Sequence, residues 1–262
     1  MGKLIFFDID GTLLKDYSIV PESTILAINK LRENGHKTFI CTGRSKGFVV
    51  DPAILALPMD GLVAACGCHV EVDGKMIYEH LMNKTLIEKT MKTCRDHKFR
   101  PIMEGPSHLY LDYDDFPIED EYGVRLRRSL KEIPAITRND DNWVVNKFSI
   151  ATEGSEENRQ DGYRCFEKDF EILIHSKEVA ELVPKGHSKA TGILKVCEAL
   201  KVPVTDTIAI GDSANDLEML KVAGLSICMG NGTKEAKEIS DYVTTDILED
   251  GIYNAVKHFE LI

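Results

Sequence analysis

The sequence lacks an apolar run long enough to cross a membrane, since no segment approaches the roughly 18 apolar residues that a transmembrane helix needs. It also lacks a signal-peptide pattern, because its first residues lead directly into a predicted strand. Basic residues are not in excess: 32 Lys and Arg stand against 43 Asp and Glu, a net charge of -11. This charge argues against a general binder of nucleic acids or membrane surfaces, both of which need a basic surface. We therefore expect a cytoplasmic protein with neither kind of partner.

The cysteines lack the arrangement of a disulfide framework or a zinc site. Seven are present, an odd number, and most lie in apolar runs, so we predict buried, reduced thiols. Cys66 and Cys68 lie beside His69, but no second pair of ligands follows at a spacing that suits zinc. Cys94 and Arg100 have the Cys-x5-Arg spacing of a cysteine-dependent phosphatase. The bulky, charged residues between them, in or just after a predicted helix, would not present converging backbone amides to a phosphate.

Two common motifs for nucleotides and metals are absent as well. No GxxxxGK followed by Ser or Thr occurs, which excludes a P-loop. A calcium-binding EF-hand loop beginning at Asp8 would need Gly at its sixth position and Glu at its twelfth. Gly11 is instead its fourth residue and Ile19 its twelfth. The acidic residues near the N-terminus therefore have another role.

That stretch, KLIFFDIDGTL, is the most informative in the chain. Residues 4–7 are apolar on both faces, which predicts a buried parallel strand. Asp8 and Asp10 follow at its carboxyl end, and Gly11 permits a sharp turn there. Ligands usually bind at this edge of an open α/β sheet.

Strands and helices alternate in the first part of the chain, a pattern typical of a parallel sheet covered by helices. The first helix is predicted from Pro21 to about Asn34, with Ile25, Ile28 and Leu31 along its apolar face. We therefore predict an α/β fold with a Rossmann-like parallel sheet.

A change of composition divides this fold into two segments. Residues 82–184 are more charged and carry most of the aromatic residues, and we predict that they form an inserted α+β domain. The alternation of strands and helices then resumes, so the core is discontinuous and consists of residues 1–81 and 185–262. The insert also contains a basic cluster, which is more typical of a solvated face than of a substrate clamp: Arg125, Arg127, Arg128 and Lys131.

Polar residues recur where strands of this core end or helices begin. Besides Asp8 and Asp10, they are Thr42-Gly43-Arg44, Lys189 and the run Gly211-Asp212-Ser213-Ala214-Asn215-Asp216. All of them would meet at the carboxyl edge of one parallel sheet. Several carboxylates cannot share a pocket without cations, and Mg²⁺ takes oxygen ligands from carboxylates and substrate phosphates. Together with one lysine, such an ion would form a site for a phosphate dianion.

These motifs resemble those of the haloacid dehalogenase-like phosphatases, and the insert resembles the large α+β cap of their Cof-like branch. The resemblance covers nearly the whole chain, including residues 228–232 and the segment DYVTTDILEDGI. It implies a phosphatase that hydrolyses small phosphorylated metabolites, such as sugar phosphates, through an aspartyl-phosphate intermediate with Mg²⁺ as the cofactor. The inserted cap would then determine substrate specificity.

The resemblance also implies a role for each motif residue. Asp8 would be the nucleophile, and Asp10 would be the general acid and base. Thr42 and Lys189 would be catalytic by holding the transferring phosphoryl group. The Mg²⁺ ligands would be Asp8, Asp10, Asp212 and Asp216. The residues that bind phosphate or substrate would be Gly11, Thr12, Gly43, Arg44 and Asn215.

One position departs from the Cof-like pattern, and two other functions remain open. Cys66-Gly67 follows the third strand where these proteins usually have Asn-Gly, so the substrate details of relatives do not carry over. A phosphomutase would use the same aspartyl phosphate but return the group to the sugar. A non-catalytic phosphometabolite-binding protein would use the same fold, and loss of Asp8 or Asp10 would favour it, but both are present.

Overall fold

The computed structural model describes residues 2–15, 19–116, 123–124, 135–138 and 142–262, so the predicted basic cluster of residues 125–131 lies outside the described residues. The strands in the described parts are β1 (Leu4–Phe7), β2 (Lys37–Cys41), β3 (Gly61–Ala64), β4 (His69–Val72), β5 (Lys75–Glu79), β6 (Arg100–Glu104), β7 (Leu109–Tyr110), β8 (Lys147–Ala151), β9 (Phe170–Ile174), β10 (Val179–Pro184), β11 (Thr207–Gly211), β12 (Leu225–Cys228) and β13 (Tyr242–Val243). The α-helices there are α1 (Glu22–Glu33), α2 (Pro52–Leu55), α3 (Lys84–Asp96), α4 (Glu156–Phe166), α5 (Lys189–Leu200), α6 (Leu217–Val222), α7 (Lys234–Ile239) and α8 (Gly251–His258). Among these described helices, each is too short or too polar to span a bilayer.

The elements form two compact units. The first contains residues 1–43, 51–78 and 187–262, and the second contains residues 44–50 and 79–186. The sheet of the first unit has the strand order β13-β12-β11-β1-β2-β3-β4-β5. Its strands from β13 to β3 are all parallel, which confirms the predicted α/β fold with a Rossmann-like parallel sheet.

The centre of this sheet is β1, whose four residues are all buried. It pairs in parallel with β11 on one side and with β2 on the other. Asp8, Thr42 and Asp212 are the residues that directly follow these three strands. Because the strands are parallel and adjacent, the three residues leave the sheet at the same edge.

The first helix has the predicted span, but its buried face differs from the prediction. Ile28 and Leu31 are fully buried, whereas Ile25 is 39% exposed. Thr24 and Ala27 lie on the buried face instead. Residues 24, 27, 28 and 31 have the i, i+3, i+4, i+7 spacing of one helical stripe, and position 25 falls beside it.

The second unit is built on an antiparallel sheet with the strand order β7-β6-β8-β10-β9. Its apolar core includes residues from α3 and α4, among them Met91 and Phe166. The apolar pattern does not predict α4, because that helix buries only Gly162, Tyr163 and Phe166. Three positions are too few to form a recognisable stripe.

A buried ion-pair network lies within the second unit. The fully buried Lys147 has its Nζ 3.0 Å from Glu104 Oε1 and 2.9 Å from Glu181 Oε2. Glu104 Oε2 also accepts a hydrogen bond of 3.1 Å from the backbone N–H of Ser45. This bond attaches the segment 44–50 to the antiparallel sheet of the second unit, although the segment closely follows β2 in the chain.

Candidate active site

The carboxyl edge of the parallel sheet brings together side chains from motifs that are far apart in the chain. Asp8 follows β1, Lys189 is the first residue of α5, and Asp216 lies in the turn between β11 and α6. All three are buried, with exposures of 3%, 1% and 0%. The backbone N–H of Asp8 donates to the carbonyl of Ile210 at 3.0 Å, so the pairing of β1 with β11 continues up to this carboxylate and positions it.

Lys189 is the centre of the polar contacts. Its Nζ lies 2.6 Å from Asp8 Oδ1, 2.5 Å from Asp216 Oδ1 and 3.1 Å from Asn215 Oδ1. An ammonium group has three N–H donors, and these acceptors match all of them. Burial lowers the pKa of Lys189, but the carboxylates of Asp216 and Asp8 outweigh it and raise that pKa well above its ordinary value. The side chain is therefore a charged ammonium.

A capping box at the start of α5 places Lys189 at this edge. The N-cap residue Ser188 accepts a hydrogen bond from the N–H of Thr191 at 3.3 Å, and Thr191 Oγ1 accepts one from the N–H of Ser188 at 3.0 Å. A Cβ at Gly67 would lie only 2.2 Å from the carbonyl oxygen of Ser188. Glycine is therefore needed where the turn after β3 packs against the start of α5.

Asp216 organises the loop that follows β11. Its Oδ2 accepts hydrogen bonds from the backbone N–H groups of Asp212 at 2.9 Å and Ser213 at 3.0 Å, while its Oδ1 contacts Lys189. A Cβ at Gly211 would lie 2.7 Å from Asp216 Cγ, so the glycine lets this carboxylate reach back over the strand end. Asp216 thus orients the backbone around Asp212 and positions Lys189.

Asp212 is held by the loop after β1. Thr12 Oγ1 donates a hydrogen bond of 2.8 Å to Asp212 Oδ1. Gly11 has a φ of +92°, and a Cβ there would lie 2.4 Å from Asp212 Oδ2. Burial and the charge of Asp216 raise the pKa of Asp212 to about 7.

Asp8, Asp212 and Asp216 form a group that suits a cation. Each contributes one carboxylate oxygen, and these oxygens lie within 4.8 Å of one another. Burial and the Asp216 carboxylate also raise the pKa of Asp8 well above its ordinary value, against the opposing effect of Lys189. Three carboxylates and one ammonium carry an excess of negative charge in a buried place. A hard divalent cation bound through oxygen would neutralise it, so the donor set fits such an ion.

The remaining motif residues are Asp10, Thr42, Gly43 and Arg44. Asp10 is half-buried and lies outside the three-carboxylate group found in the described residues. Thr42 and Gly43 are buried at the sheet edge, and the N–H of Thr42 donates to the carbonyl of Val63 at 2.8 Å. Arg44 is half-buried and belongs to the second unit.

Cys66 occupies an unusual backbone conformation. Its φ is 50°, and the neighbouring Ala65 and Gly67 have φ values of 49° and 82°. A left-handed conformation costs an L-residue about 1–2 kcal/mol, and Asn tolerates it better than Cys or Ala does. The N–H of Cys66 donates to the carbonyl of Thr42 at 3.2 Å, so this strained turn supports the neighbouring motif.

Six of the seven cysteines are buried as predicted, and Cys165 is exposed. Cys94 lies within α3, and burial raises its pKa to about 12, which argues against a cysteine nucleophile there. Cys66 and Cys68 belong to no cluster of three metal-ligating side chains in the part of the chain that the structure describes.

Comparison with known proteins identifies the family. The model of the haloacid dehalogenase-like hydrolases matches residues 5–256. The chain belongs to this family. The Bacillus subtilis protein YkrA is 32% identical over 263 residues, which cover 100% of this chain and 99% of YkrA.

Two further proteins that resemble this chain carry names that state an activity. The 5-amino-6-(5-phospho-D-ribitylamino)uracil phosphatase YitU of Bacillus subtilis is 28% identical over 269 residues, covering 98% of this chain and 97% of YitU. The solved structure of BT4131, a sugar phosphatase of subclass IIB, has a TM-score of 0.84 at 26% identity and covers 99% of this chain and 100% of BT4131. The chain is thus a phosphatase of this family, as its Cof-like motifs predict.

Asn231 is a residue of this haloacid dehalogenase-like site to which the motifs assign no role. Its Nδ2 donates to the carbonyl of Gly11 at 2.8 Å, and its Oδ1 accepts from the N–H of Ile247 at 3.0 Å. It therefore links the loop after β1 to the turn that precedes α8. The one signal in the sequence is its position between Gly230 and Gly232, just after β12 at the same edge of the sheet.

Proposed function

We propose that this chain hydrolyses phosphomonoesters of small metabolites, sugar phosphates among them, with Mg²⁺ as the cofactor and Asp8 as the nucleophile. The observation that carries this proposal is the buried Lys189 held between Asp8 and Asp216, beside a three-carboxylate group. Phosphoryl transfer depends chiefly on positioned positive charge of this kind. The names of YitU and BT4131 support a small phosphorylated substrate.

In the proposed reaction, one oxygen of Asp8 attacks the phosphorus, a new P–O bond forms, and the bond to the leaving alcohol breaks. Asp10 donates a proton to the leaving oxygen. It then takes a proton from a water molecule, whose oxygen attacks the phosphorus of the aspartyl phosphate. The Asp8 carboxylate is restored and inorganic phosphate leaves.

Lys189 would change its hydrogen-bond partners during this cycle. All three of its N–H donors have acceptors, so a phosphoryl oxygen must replace one of them. Asp8 is the acceptor to be replaced, because its negative charge is lost from the carboxylate when the acyl phosphate forms. Asp216 and Asn215 then keep the ammonium in place, and Thr42 and the Gly43 N–H contact other phosphoryl oxygens.

The acidic group would hold the cofactor. The ligands would be Asp8, Asp212, Asp216 and the backbone carbonyl of Asp10. Mg²⁺ bound there would supply positive charge beside the phosphoryl oxygens of the substrate. Gly11 and Thr12 contribute by positioning Asp212, through the close approach and the hydrogen bond described above.

We further propose that residues 1–81 and 185–262 are the catalytic core and that residues 82–184 are the cap that determines the substrate. All the motif residues named above lie within these core ranges. Gly43, which is buried, and Arg44, which is half-buried, would bind the phosphate of the substrate.

Phosphate release from a panel of small phosphomonoesters tests this proposal. The native chain is measured with Mg²⁺ and with EDTA, and compared with Asp8→Asn and Asp10→Asn. We expect Mg²⁺-dependent turnover that falls by at least about 10³-fold in both variants, since each removes a group that acts in both steps. Mass spectrometry of the acid-quenched native chain during turnover should show a phosphoryl adduct on the peptide that contains Asp8.

Asp206→Asn is the matched control. Asp206 precedes the same strand β11 at its amino end and pairs with Lys3 at 2.6 Å, far from the strand end that carries Asp212. This variant should keep native turnover. Turnover that survives Asp8→Asn would refute the nucleophile, and turnover that EDTA leaves unchanged would refute the cofactor. Transfer of phosphate within a sugar phosphate without release would instead support the phosphomutase.

A further inference from the structure

The structure contains a second cluster of reactive side chains, in the second unit and separate from the carboxylates. Cys165 lies on α4 and is the only exposed thiol of the seven. Its Sγ is 3.8 Å from His97 Nε2, and His97 Nδ1 is 3.4 Å from Asn158 Oδ1. A thiol, an imidazole and a carboxamide in this order are the components of a base-assisted cysteine nucleophile.

Asn158 determines which nitrogen of His97 carries the proton. Its Nδ2 donates to the backbone carbonyl of His97 at 2.8 Å, so its Oδ1 is the atom that faces the ring. An acceptor at Nδ1 favours the tautomer with the proton on Nδ1. Nε2 then presents a lone pair to the Cys165 thiol.

Packing holds the imidazole in this position. His97 ends α3, and its ring centre lies 5.8 Å from that of the buried Phe99. Gly162 lies one turn before Cys165 on α4, and a Cβ there would lie 2.4 Å from the Phe99 ring and 3.2 Å from His97 Cγ. A glycine inside a helix is unfavourable relative to alanine. Here it makes the space in which the two rings reach the face of α4 that carries Cys165.

We propose that Cys165, His97 and Asn158 form a thiol-modification site that reacts with small-molecule disulfides. His97 Nε2 takes the proton from Cys165 Sγ, and the sulfur attacks one sulfur of the disulfide. A mixed disulfide on Cys165 forms, the original S–S bond breaks, and the leaving thiolate takes the proton from His97 to depart as a thiol. The disulfide is the only oxidant that the step needs.

The reaction of the folded, reduced chain with dithiodipyridine tests this site. Because the other six cysteines are buried, we expect a fast phase of one thiol per chain, which mass spectrometry locates on Cys165 and which Cys165→Ser abolishes. His97→Gln should slow this phase by about 10-fold or more, since it removes the base. Asn158→Ala should slow it as well, whereas Asn158→Asp, which keeps an acceptor for Nδ1, should retain most of the rate.

Arg164→Gln separates the role of His97 from that of nearby charge. Arg164 precedes Cys165 and pairs with Asp161 at 2.8 Å on the exposed surface, and we expect a change of less than about twofold when it is replaced. A native rate equal to that of N-acetylcysteine and unaltered by His97→Gln would overturn the proposal. So would an equal loss of rate in Asn158→Ala and Asn158→Asp, because Asn158 would then act only by joining the two helices.

Discussion

Replacing Lys189 with methionine tests whether charge balance holds the acidic site together. Methionine is of similar length and apolar, so the change removes the ammonium and its N–H donors while leaving little empty space. Lys189 contacts Asp8 Oδ1 at 2.6 Å and Asp216 Oδ1 at 2.5 Å, and all three side chains are buried. Removing one partner of a buried ion pair typically lowers the free energy of unfolding by about 3–5 kcal/mol. We expect a loss in the upper part of this range, because two carboxylates lose the same partner.

Urea unfolding in EDTA at neutral pH, followed by circular dichroism, measures this loss. Lys234→Met is the control, since Lys234 is also the first residue of a helix, α7, but its side chain is 82% exposed and lies 3.6 Å from Glu238. It should lose less than about 0.5 kcal/mol. Mg²⁺ at about 100 times its dissociation constant should restore roughly 2.7 kcal/mol to Lys189→Met, because the ion binds only the folded state.

Two results would contradict this reasoning. If Lys189→Met and Lys234→Met unfold at the same urea concentration in EDTA, the carboxylates do not depend on Lys189 for their charge balance. If Mg²⁺ stabilises neither the native chain nor Lys189→Met, the acidic group does not bind this ion.

Three further predictions concern the loops at the same edge. Gly11→Ala should destabilise the chain by about 1–2 kcal/mol and lower Mg²⁺ affinity in calorimetric titration, because the added Cβ would meet Asp212. Gly35→Ala is the control: Gly35 has a similar φ of +82° but open space around it, so this change should lower stability alone. Burial and the charge of Asp216 raise the pKa of Asp212 to about 7, so the folded metal-free chain keeps a proton that the unfolded chain releases. The raised pKa of Asp8 acts in the same direction. The free energy of unfolding in EDTA should therefore fall by about 4 kcal/mol or more between about pH 4 and pH 7, and a flat profile would contradict the raised pKa values of these two carboxyl groups. Asn231→Ala, which breaks two hydrogen bonds to backbone groups, should cost about 2 kcal/mol in urea unfolding, and an unchanged midpoint would show that water replaces the side chain.

The positions of the motif residues could be predicted because each follows from a local pattern. The buried run before Asp8 and the alternation of strands and helices place Asp8, Thr42 and Asp212 at strand ends, and parallel pairing brings such ends to one edge. The helices of the inserted cap are harder to predict from the sequence. Its helix α4 buries few apolar residues, so its sequence carries little periodicity.

The contacts within the site could not be predicted in the same way. That Asp216 bonds the backbone of its own loop, and that Asn231 bonds the carbonyl of Gly11, depends on how side chains of different segments orient. The exposure of Cys165 could not be predicted either. Its place beside the aromatic Phe166 suggests burial, but its side of α4 faces solvent and His97.

The sequence by itself determined the fold class, the family and the edge of the sheet at which the chemistry would lie, because strand periodicity and motif order are properties of contiguous residues. Only the tertiary structure decided the partners of Lys189, the raised pKa of Asp212 and the Cys165–His97–Asn158 cluster. Lys189 and Asp8 are 181 residues apart in the chain, and Cys165 and His97 are 68 apart. Hydrogen bonds, burial and charge effects act over a few ångströms, so they follow from folded distances and not from spacing along the sequence.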